Sequence, residues 1–119
     1  MKVEIINILD RGIEQQERLM LRVLGDTDLS HYVIFDTVYI SGNSISSSPK
    51  NVYWFAPKKV KTGDYIILYA GTGTPTQSLN ADGTTNYLIY WGLNKTIWNN
   101  KEDCAVVLEI NTWNTTPLL

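Results

Sequence analysis

The chain contains one cysteine, Cys104, and one histidine, His31, so a thiol nucleophile activated by an imidazole would have to use this pair. Cysteine is among the residues most often fully buried, and we therefore expect Cys104 to be structural. In a strand over 104–110 its face is the more apolar one, which carries Cys104, Val106, Leu108 and Ile110. His31 borders the polar segment 25–30 and is expected to be a solvated loop residue. One cysteine and one histidine are too few for a structural zinc site.

Two carboxylates, Asp26 and Asp28, stand two residues apart, a spacing suited to Ca²⁺ or to an acid and base pair. Aspartate is also a common turn residue because its side chain accepts hydrogen bonds from nearby backbone amides, so we favour a turn here. The stretch Asn80–Gly83 has no carboxylate at the first or last position that a calcium loop requires. We therefore predict no catalytic residue, no metal, no cofactor and no enzymatic activity.

Four of the ten basic residues fall within twelve positions, at Lys50, Lys58, Lys59 and Lys61. A basic strip beside an aromatic such as Trp54 can contact phosphate and base, which makes nucleic-acid binding the alternative function. Lysines also protect sheet edges against aggregation, and we favour that interpretation. The formal net charge of −2 excludes a general polyanion binder held by bulk charge.

The candidate residues named above must be positioned by short β-strands. A chain of 119 residues with 44% apolar residues supports one packed core, so we predict a single domain over residues 1–119. In the segment 13–24, helix and strand both fit from Arg18 onward, and we favour a strand because turn residues follow it. The predicted strands cover 3–9, 18–24, 32–40, 51–55, 64–69, 85–93 and 104–110, with 70–83 as a loop and 111–119 as a last short strand or a loose tail. About eight strands and no major helix predict an all-β sandwich.

No apolar run approaches the roughly 18 residues that span a bilayer, and the first residues do not form a signal peptide. We therefore expect a cytoplasmic protein that makes no membrane contact.

The segment 53–64 reads Tyr-Trp-Phe-Ala-Pro-Lys-Lys-Val-Lys-Thr-Gly-Asp and is followed by Tyr-Ala-Gly-Thr-Gly-Thr at 69–74, Trp-Gly at 91–92, Asn-Asn at 99–100 and Ala-Val-Val-Leu at 105–108. In order and spacing this series resembles the tail domain of nuclear lamins over residues 51–110. The resemblance implies an immunoglobulin-like β-sandwich. Ala56 stands where that family has the first of two prolines, and the lamin rod, basic localisation signal and prenylated cysteine are absent. A nuclear-scaffold function is therefore not carried over, and the small size resembles stand-alone bacterial or phage proteins.

The resemblance places Tyr53 and Phe55 in the core, and the period of two in a strand then turns Trp54 outward. By the same rule, Tyr65 and Tyr69 point outward when the residues between them point inward. The strand 32–40 is apolar on both faces. Such a strand is covered on its outer side by a loop such as 70–83, by a second copy, or by another protein.

We therefore expect a non-enzymatic recognition or assembly module that binds a protein partner or forms a homo-oligomer. The outward aromatic side chains would be desolvated on binding, and the lysines would set orientation and association rate. The predicted partner-binding residues are Trp54, Tyr65, Tyr69, Lys58, Lys59 and Lys61.

Overall fold

The computed structural model describes residues 1–119, which form eleven β-strands, one short 3₁₀ turn and no α-helix. The strands are β1 (Val3–Leu9), β2 (Arg18–Val23), β3 (Thr27–Asp28), β4 (Tyr32–Ser41), β5 (Ser44–Ile45), β6 (Val52–Trp54), β7 (Lys59–Val60), β8 (Tyr65–Tyr69), β9 (Thr76–Leu79), β10 (Thr85–Tyr90) and β11 (Asp103–Glu109), and the 3₁₀ turn is Leu29–His31. The predicted all-β fold is confirmed. The chain holds no helix with the length and apolar character needed to cross a membrane.

Five strands form the first sheet, in the order β1-β2-β8-β10-β9. Neighbouring strands are antiparallel except β8 and β10, which run parallel. After β8 the chain forms the edge strand β9, reverses through a turn at Asn80 and Gly83, and returns as β10 between the two. Gly83 has a φ of 87°, a left-handed conformation that glycine adopts without steric cost.

β4 is the central strand of the second sheet. β11 pairs along one edge of it, and β6 and β5 pair along the other. Tyr32 and Ile34 of β4 turn toward the first sheet and are wholly buried. The two-residue strands β3 and β7 pair with each other. β3 is followed directly by the 3₁₀ turn that leads into β4.

The inner faces of the two sheets pack against each other around one hydrophobic core, which is the arrangement of a β-sandwich. The segment between β10 and β11 closes the core with Trp98, the largest wholly buried side chain. Burying one large apolar side chain stabilises a fold by about 1.5–3 kcal/mol, so the hydrophobic core between the two sheets dominates the stability of the domain. The other wholly buried side chains of the core include Leu19, Leu21, Ile66 and Leu68 from the first sheet and Tyr32 and Ile34 from the second.

A strand is present at each of the seven predicted segments, although β6 keeps only three residues of 51–55 and β10 ends at Tyr90, and the segment after Arg18 is a strand. The prediction of an unbroken loop over 70–83 is wrong, because Thr76–Leu79 forms the edge strand β9. All four of its residues are exposed, so no burial pattern marks the strand in the sequence. The two-residue strands β3, β5 and β7 also escaped prediction, and residues 111–119 form a tail without a strand.

The predicted alternation of side chains over residues 51–69 is confirmed. Phe55 is buried, and Tyr53 packs against it with ring centroids 5.1 Å apart. Trp54 lies between them in sequence and points outward with 47% of its surface exposed. On β8, Ile66 and Leu68 are wholly buried.

The more apolar face of β11 in the sequence, which carries Cys104, Val106 and Leu108, turns outward in the structure. Val107 lies across from the buried Ile34 and faces the core, whereas Leu108 lies across from Val33 and faces outward. Both faces of β11 are apolar, so the alternation in sequence did not identify the inner one. Cys104 is buried as expected, but on the outward side of the sheet.

Candidate interaction surface

The outward side of the second sheet is an apolar surface built from three neighbouring strands. Because paired residues of antiparallel strands share a face, Leu108, Val33 and Trp54 form one row across β11, β4 and β6. Val106, Phe35 and Val52 form the next row. We call these six residues together with Trp113 the Trp54 face. Small sandwiches usually carry polar residues on the outer side, and none of these seven residues is polar or charged.

Trp54 makes two specific contacts on this face. Its indole Nε1–H donates a hydrogen bond to the carbonyl oxygen of Ser30 at 2.8 Å. The ring of Trp113, from the tail after β11, meets the Trp54 ring edge-on with centroids 5.4 Å apart and planes at 86°. These two contacts hold the indole, and 47% of the Trp54 surface is still exposed.

The Trp54 face is open at one end and covered at the other. Leu108 is 46% exposed and Trp113 is 65% exposed, and beside them lies an open depression of about 700 Å³ that reaches His31 and Pro57. At the opposite end, the hydroxyl of Thr37 donates to the carbonyl oxygen of Ser46 in the loop after β5. This loop covers the end of the sheet where Cys104 lies.

The outer side of the first sheet is covered by its own side chains. The guanidinium of Arg18 lies 5.7 Å from the centroid of the Tyr69 ring, and that of Arg22 lies 5.9 Å from Tyr65. Tyr69 also stacks on Tyr90, with centroids 4.9 Å apart. A cationic group over an aromatic ring is attracted to the ring and shields it from water. The outer face of the first sheet therefore has less need of a partner than the Trp54 face.

The loop after β8 covers the same face at one end. A Cβ added to Gly73 would lie 2.3 Å from the ring of Tyr90, so only glycine allows the loop to approach this closely. The loop 70–83 therefore covers part of the outer face of the first sheet, and not the outer side of the strand 32–40, for which the sequence suggested it as one of three covers.

The predicted aromatic contacts do not form one patch. Trp54 lies on the outer side of the second sheet, and Tyr65 and Tyr69 lie on the outer side of the first. Because the two sheets pack by their inner faces, these outer sides face in opposite directions. A single partner surface can use Trp54 or the two tyrosines, but not all three.

The structure also divides the basic strip. Lys50 lies beyond one end of β6, where its Nζ is 3.9 Å from the Asp103 carboxylate. Lys58, Lys59 and Lys61 lie beyond the other end, in a segment that we call the lysine corner. There the Lys58 Nζ is 5.1 Å from the centroid of the Tyr87 ring. A continuous cationic groove along residues 50–61 is therefore not formed.

Asp26 and Asp28 hold the lysine corner in place. Asp26 Oδ1 accepts hydrogen bonds from the backbone amide of Thr62 at 2.9 Å and from its hydroxyl at 3.0 Å. Asp28 Oδ1 accepts from the amide and hydroxyl of Ser30 and from the amide of Lys58, at 2.8–3.1 Å. These bonds favour the charged carboxylates and lower the pKa of each, and they fit the turn interpretation of this pair.

We expect the lowered pKa of Asp28 to make the fold sensitive to acid. A carboxyl whose pKa is lower when folded than when unfolded stabilises the fold above its unfolded pKa, and this contribution disappears as the pH falls through the folded value. The ordinary value is 3.8, so wild type should lose stability below about pH 4. In Asp28→Asn an amide oxygen accepts the same hydrogen bonds without the charge that strengthens them, so the substitution should cost about 1 kcal/mol at pH 7 and should lose less than wild type on acidification.

Urea unfolding at pH 7, 4, 3 and 2 measures this difference. Ser30→Ala removes the hydroxyl donor to Asp28 but keeps the amide donor, so its acid sensitivity should lie between those of wild type and Asp28→Asn. Parallel curves for wild type and Asp28→Asn would contradict the assignment.

Cys104 and His31 are not brought together. Cys104 lies across from Thr37, whereas the backbone of His31 pairs with Ile110 at the other end of β4. Six residue steps separate positions 31 and 37, and in an extended strand they span roughly 20 Å. Burial raises the pKa of the Cys104 thiol, with a further contribution from the charge of Asp103. No three His, Cys, Asp or Glu side chains are grouped so that they could hold a metal ion.

Of the seven residues of the Trp54 face, the predicted contacts include only Trp54. Leu108 and Val106 were grouped with the buried Cys104, the residues Val33, Phe35 and Val52 were not counted among the contacts, and Trp113 lay in the segment predicted as a last short strand or a loose tail. An aromatic residue isolated in a polar tail is the one signal that could have identified Trp113. A comparison of the chain with protein-family models and with curated proteins finds no match.

Proposed function

We propose that the protein is a recognition or assembly module without enzymatic activity, and that it docks onto a protein partner or onto itself through the Trp54 face. The observation that carries this proposal is a half-exposed tryptophan, held by a hydrogen bond and an aromatic contact, in a sheet face that has no charged residue. A partner that covers this face removes apolar surface from water, which is the main driving force of protein association.

The order of Trp54 before binding favours affinity. Fixing a mobile side chain on association costs about 0.5–1.5 kcal/mol, and the bond to Ser30 and the contact with Trp113 avoid most of that cost. Tryptophan is also the residue type most enriched among positions that dominate interface energies. Trp54 is therefore the proposed anchor, with Leu108 and Val52 as the surrounding contacts.

The lysine corner has a secondary role in this proposal. It follows Trp54 in the chain after only a short turn, and its charges can attract an acidic partner before contact is made. Asp26, Asp28 and Asp64 accept hydrogen bonds from the backbone of this corner, so carboxylates stand beside its ammonium groups. This mixture of charges supports steering of a protein better than binding of a polyanion.

We also propose that the domain is of the lamin-tail type, with an immunoglobulin-like topology. The motifs that carry the resemblance lie at the ends of strands, where the turn-forming residues characteristic of a family are expected. Pro57 follows β6, Gly63 turns with a φ of 93° before β8, and Gly92 turns with a φ of 91° after β10. The resemblance assigns no partner, so the proposed function rests on the Trp54 face.

Affinity capture from a lysate of the native organism tests the proposed function. We expect Trp54→Ala to reduce retention of a specific protein at least about 30-fold, which corresponds to about 2 kcal/mol for an anchor residue. Tyr65→Ala, on the opposite side of the sandwich, is the matched control and should retain that protein. An identical set of captured proteins for wild type and Trp54→Ala, with both correctly folded by circular dichroism, would contradict the proposal.

A further inference from the structure

The outer edge of β11 has free backbone hydrogen-bonding groups. The amide of Tyr39 donates to Glu102 and the amide of Ile110 donates to His31, so these two pairs are hydrogen-bonded pairs of the β4–β11 ladder. Such pairs alternate along antiparallel strands, so the even-numbered residues of β11 bond to β4. The odd-numbered residues direct their N–H and C=O groups away from it.

Three consecutive odd positions carry these free groups. None of the loop, turn or side-chain hydrogen bonds of the chain uses the backbone N–H or C=O of Ala105, Val107 or Glu109. Asp103 is different, since its amide donates to Asn100 and its carbonyl accepts from Arg11 at 2.9 Å. The open edge therefore begins after Asp103 and extends to Glu109.

The other sheet edges carry features that discourage pairing, and β11 does not. β1 is interrupted by an irregularity between Ile5 and Asn7, β9 is a short polar strand, and β6 has only three residues. β11 runs seven residues in unbroken register with β4. Its central residues 104–108 contain no charge and no proline, which makes this edge the one most suited to accept another strand.

We propose that β11 pairs with β11 of a second copy of this chain in an antiparallel, two-fold symmetric dimer. A two-fold axis through Val107 places Val107 opposite its own copy and Ala105 opposite the partner's Glu109. In this register all three N–H groups and all three C=O groups of each edge find partners, giving six hydrogen bonds. No like charges oppose each other across the seam.

A second copy fits this edge because the edge is self-complementary. The free groups are symmetric about Val107, and closed two-fold dimers are the commonest assemblies of soluble proteins. On the outer side of the seam, Leu108 lies across from Val106 of the other copy in both directions, which covers the exposed Leu108 side chain. The two second sheets then form one continuous sheet, with Trp54 at both outer ends and still free to bind a partner.

This inference uses a different contact surface from the proposed function, although Leu108 belongs to both, and Trp54→Ala separates the two. Pairing of one short strand buries less surface than a permanent dimer needs, so we expect association between about 10 µM and 1 mM. Sedimentation equilibrium over this range should show the mass rising from monomer to dimer. Over the same range, amide exchange of Ala105, Val107 and Glu109 should slow at least about tenfold.

Val107→Pro removes an N–H that β4 does not use, so it should abolish the dimer while the β4 ladder remains. Leu108→Lys leaves the backbone intact and places a charge in the seam, so it should weaken the dimer at least tenfold even if the proline variant does not fold. Trp54→Ala should dimerise as wild type does.

A chain that stays monomeric up to 1 mM would overturn the inference and would leave the edge to a strand of another protein. A dimer that survives Leu108→Lys unchanged would also overturn it. A dimer lost in Trp54→Ala would place the contact between copies on the Trp54 face instead.

Discussion

Glu17→Gln is expected to destabilise the fold by about 3 kcal/mol, which is a large part of the stability of a domain of this size. The Glu17 carboxylate is wholly buried and accepts three backbone hydrogen bonds. One oxygen accepts from Gly12 at 2.9 Å and from Trp98 at 3.0 Å, and the other accepts from Ile97 at 2.8 Å. The carboxylate thus ties the turn after β1 to the segment before β11.

Glutamine has nearly the same shape, but its amide has only one acceptor oxygen. Whichever way the amide turns, its NH₂ group faces a backbone N–H that the carboxylate accepted from, and that donor is left buried without a partner. Urea unfolding followed by tryptophan fluorescence measures the loss. Glu14→Gln makes the same chemical change at an exposed position in the same turn region and should change stability by less than about 0.5 kcal/mol. Equal effects of the two substitutions would show that the three hydrogen bonds contribute little.

Trp98→Ala is expected to cost about 4 kcal/mol, because truncation of a fully buried tryptophan loses its transfer free energy and leaves a cavity. The side chain also donates from Nε1 to the carbonyl oxygen of Cys104 at 3.3 Å and meets the ring of Trp91 edge-on, with centroids 6.1 Å apart. Its removal therefore loosens the segment that closes the core between the sheets.

Thermal unfolding by circular dichroism measures this effect, and Trp113→Ala is the control. Trp113 is 65% exposed, so its truncation should cost less than about 1 kcal/mol. If Trp98→Ala does not fold, Trp98→Phe keeps most of the volume and should cost about 2 kcal/mol. Equal melting temperatures for the variants at positions 98 and 113 would contradict the role assigned to Trp98.

The strands that the sequence predicted are those with runs of apolar side chains, which the packing of the core requires. β8 is the clearest case, since Ile66 and Leu68 are buried and their neighbours are not. β9 was missed because its stability comes from backbone bonds to β10 and its side chains bury nothing. Glu17 was missed for a similar reason, since its partners Ile97 and Trp98 are distant in sequence and donate only through their backbones.

The candidate site was predicted in part. Alternation correctly turned Trp54, Tyr65 and Tyr69 away from the core, because that depends only on the local period of the strand. It gave no information on which sheet each strand joins, and the assignment of β6 and β8 to different sheets separates the three side chains. The sequence also did not show that Leu108 faces outward, because both faces of β11 are apolar.

The position of β10 between β8 and β9 constrains the order in which the first sheet assembles. β10 reaches its parallel neighbour β8 only after the whole of β9 has been laid down, whereas the β9–β10 hairpin closes locally through the turn that contains Asn80 and Gly83. Local closure takes microseconds, and parallel pairing pays the entropy of a longer loop. We therefore expect the hairpin to form early and to dock onto β8 as a preformed unit, so that a faulty turn slows folding more than it speeds unfolding.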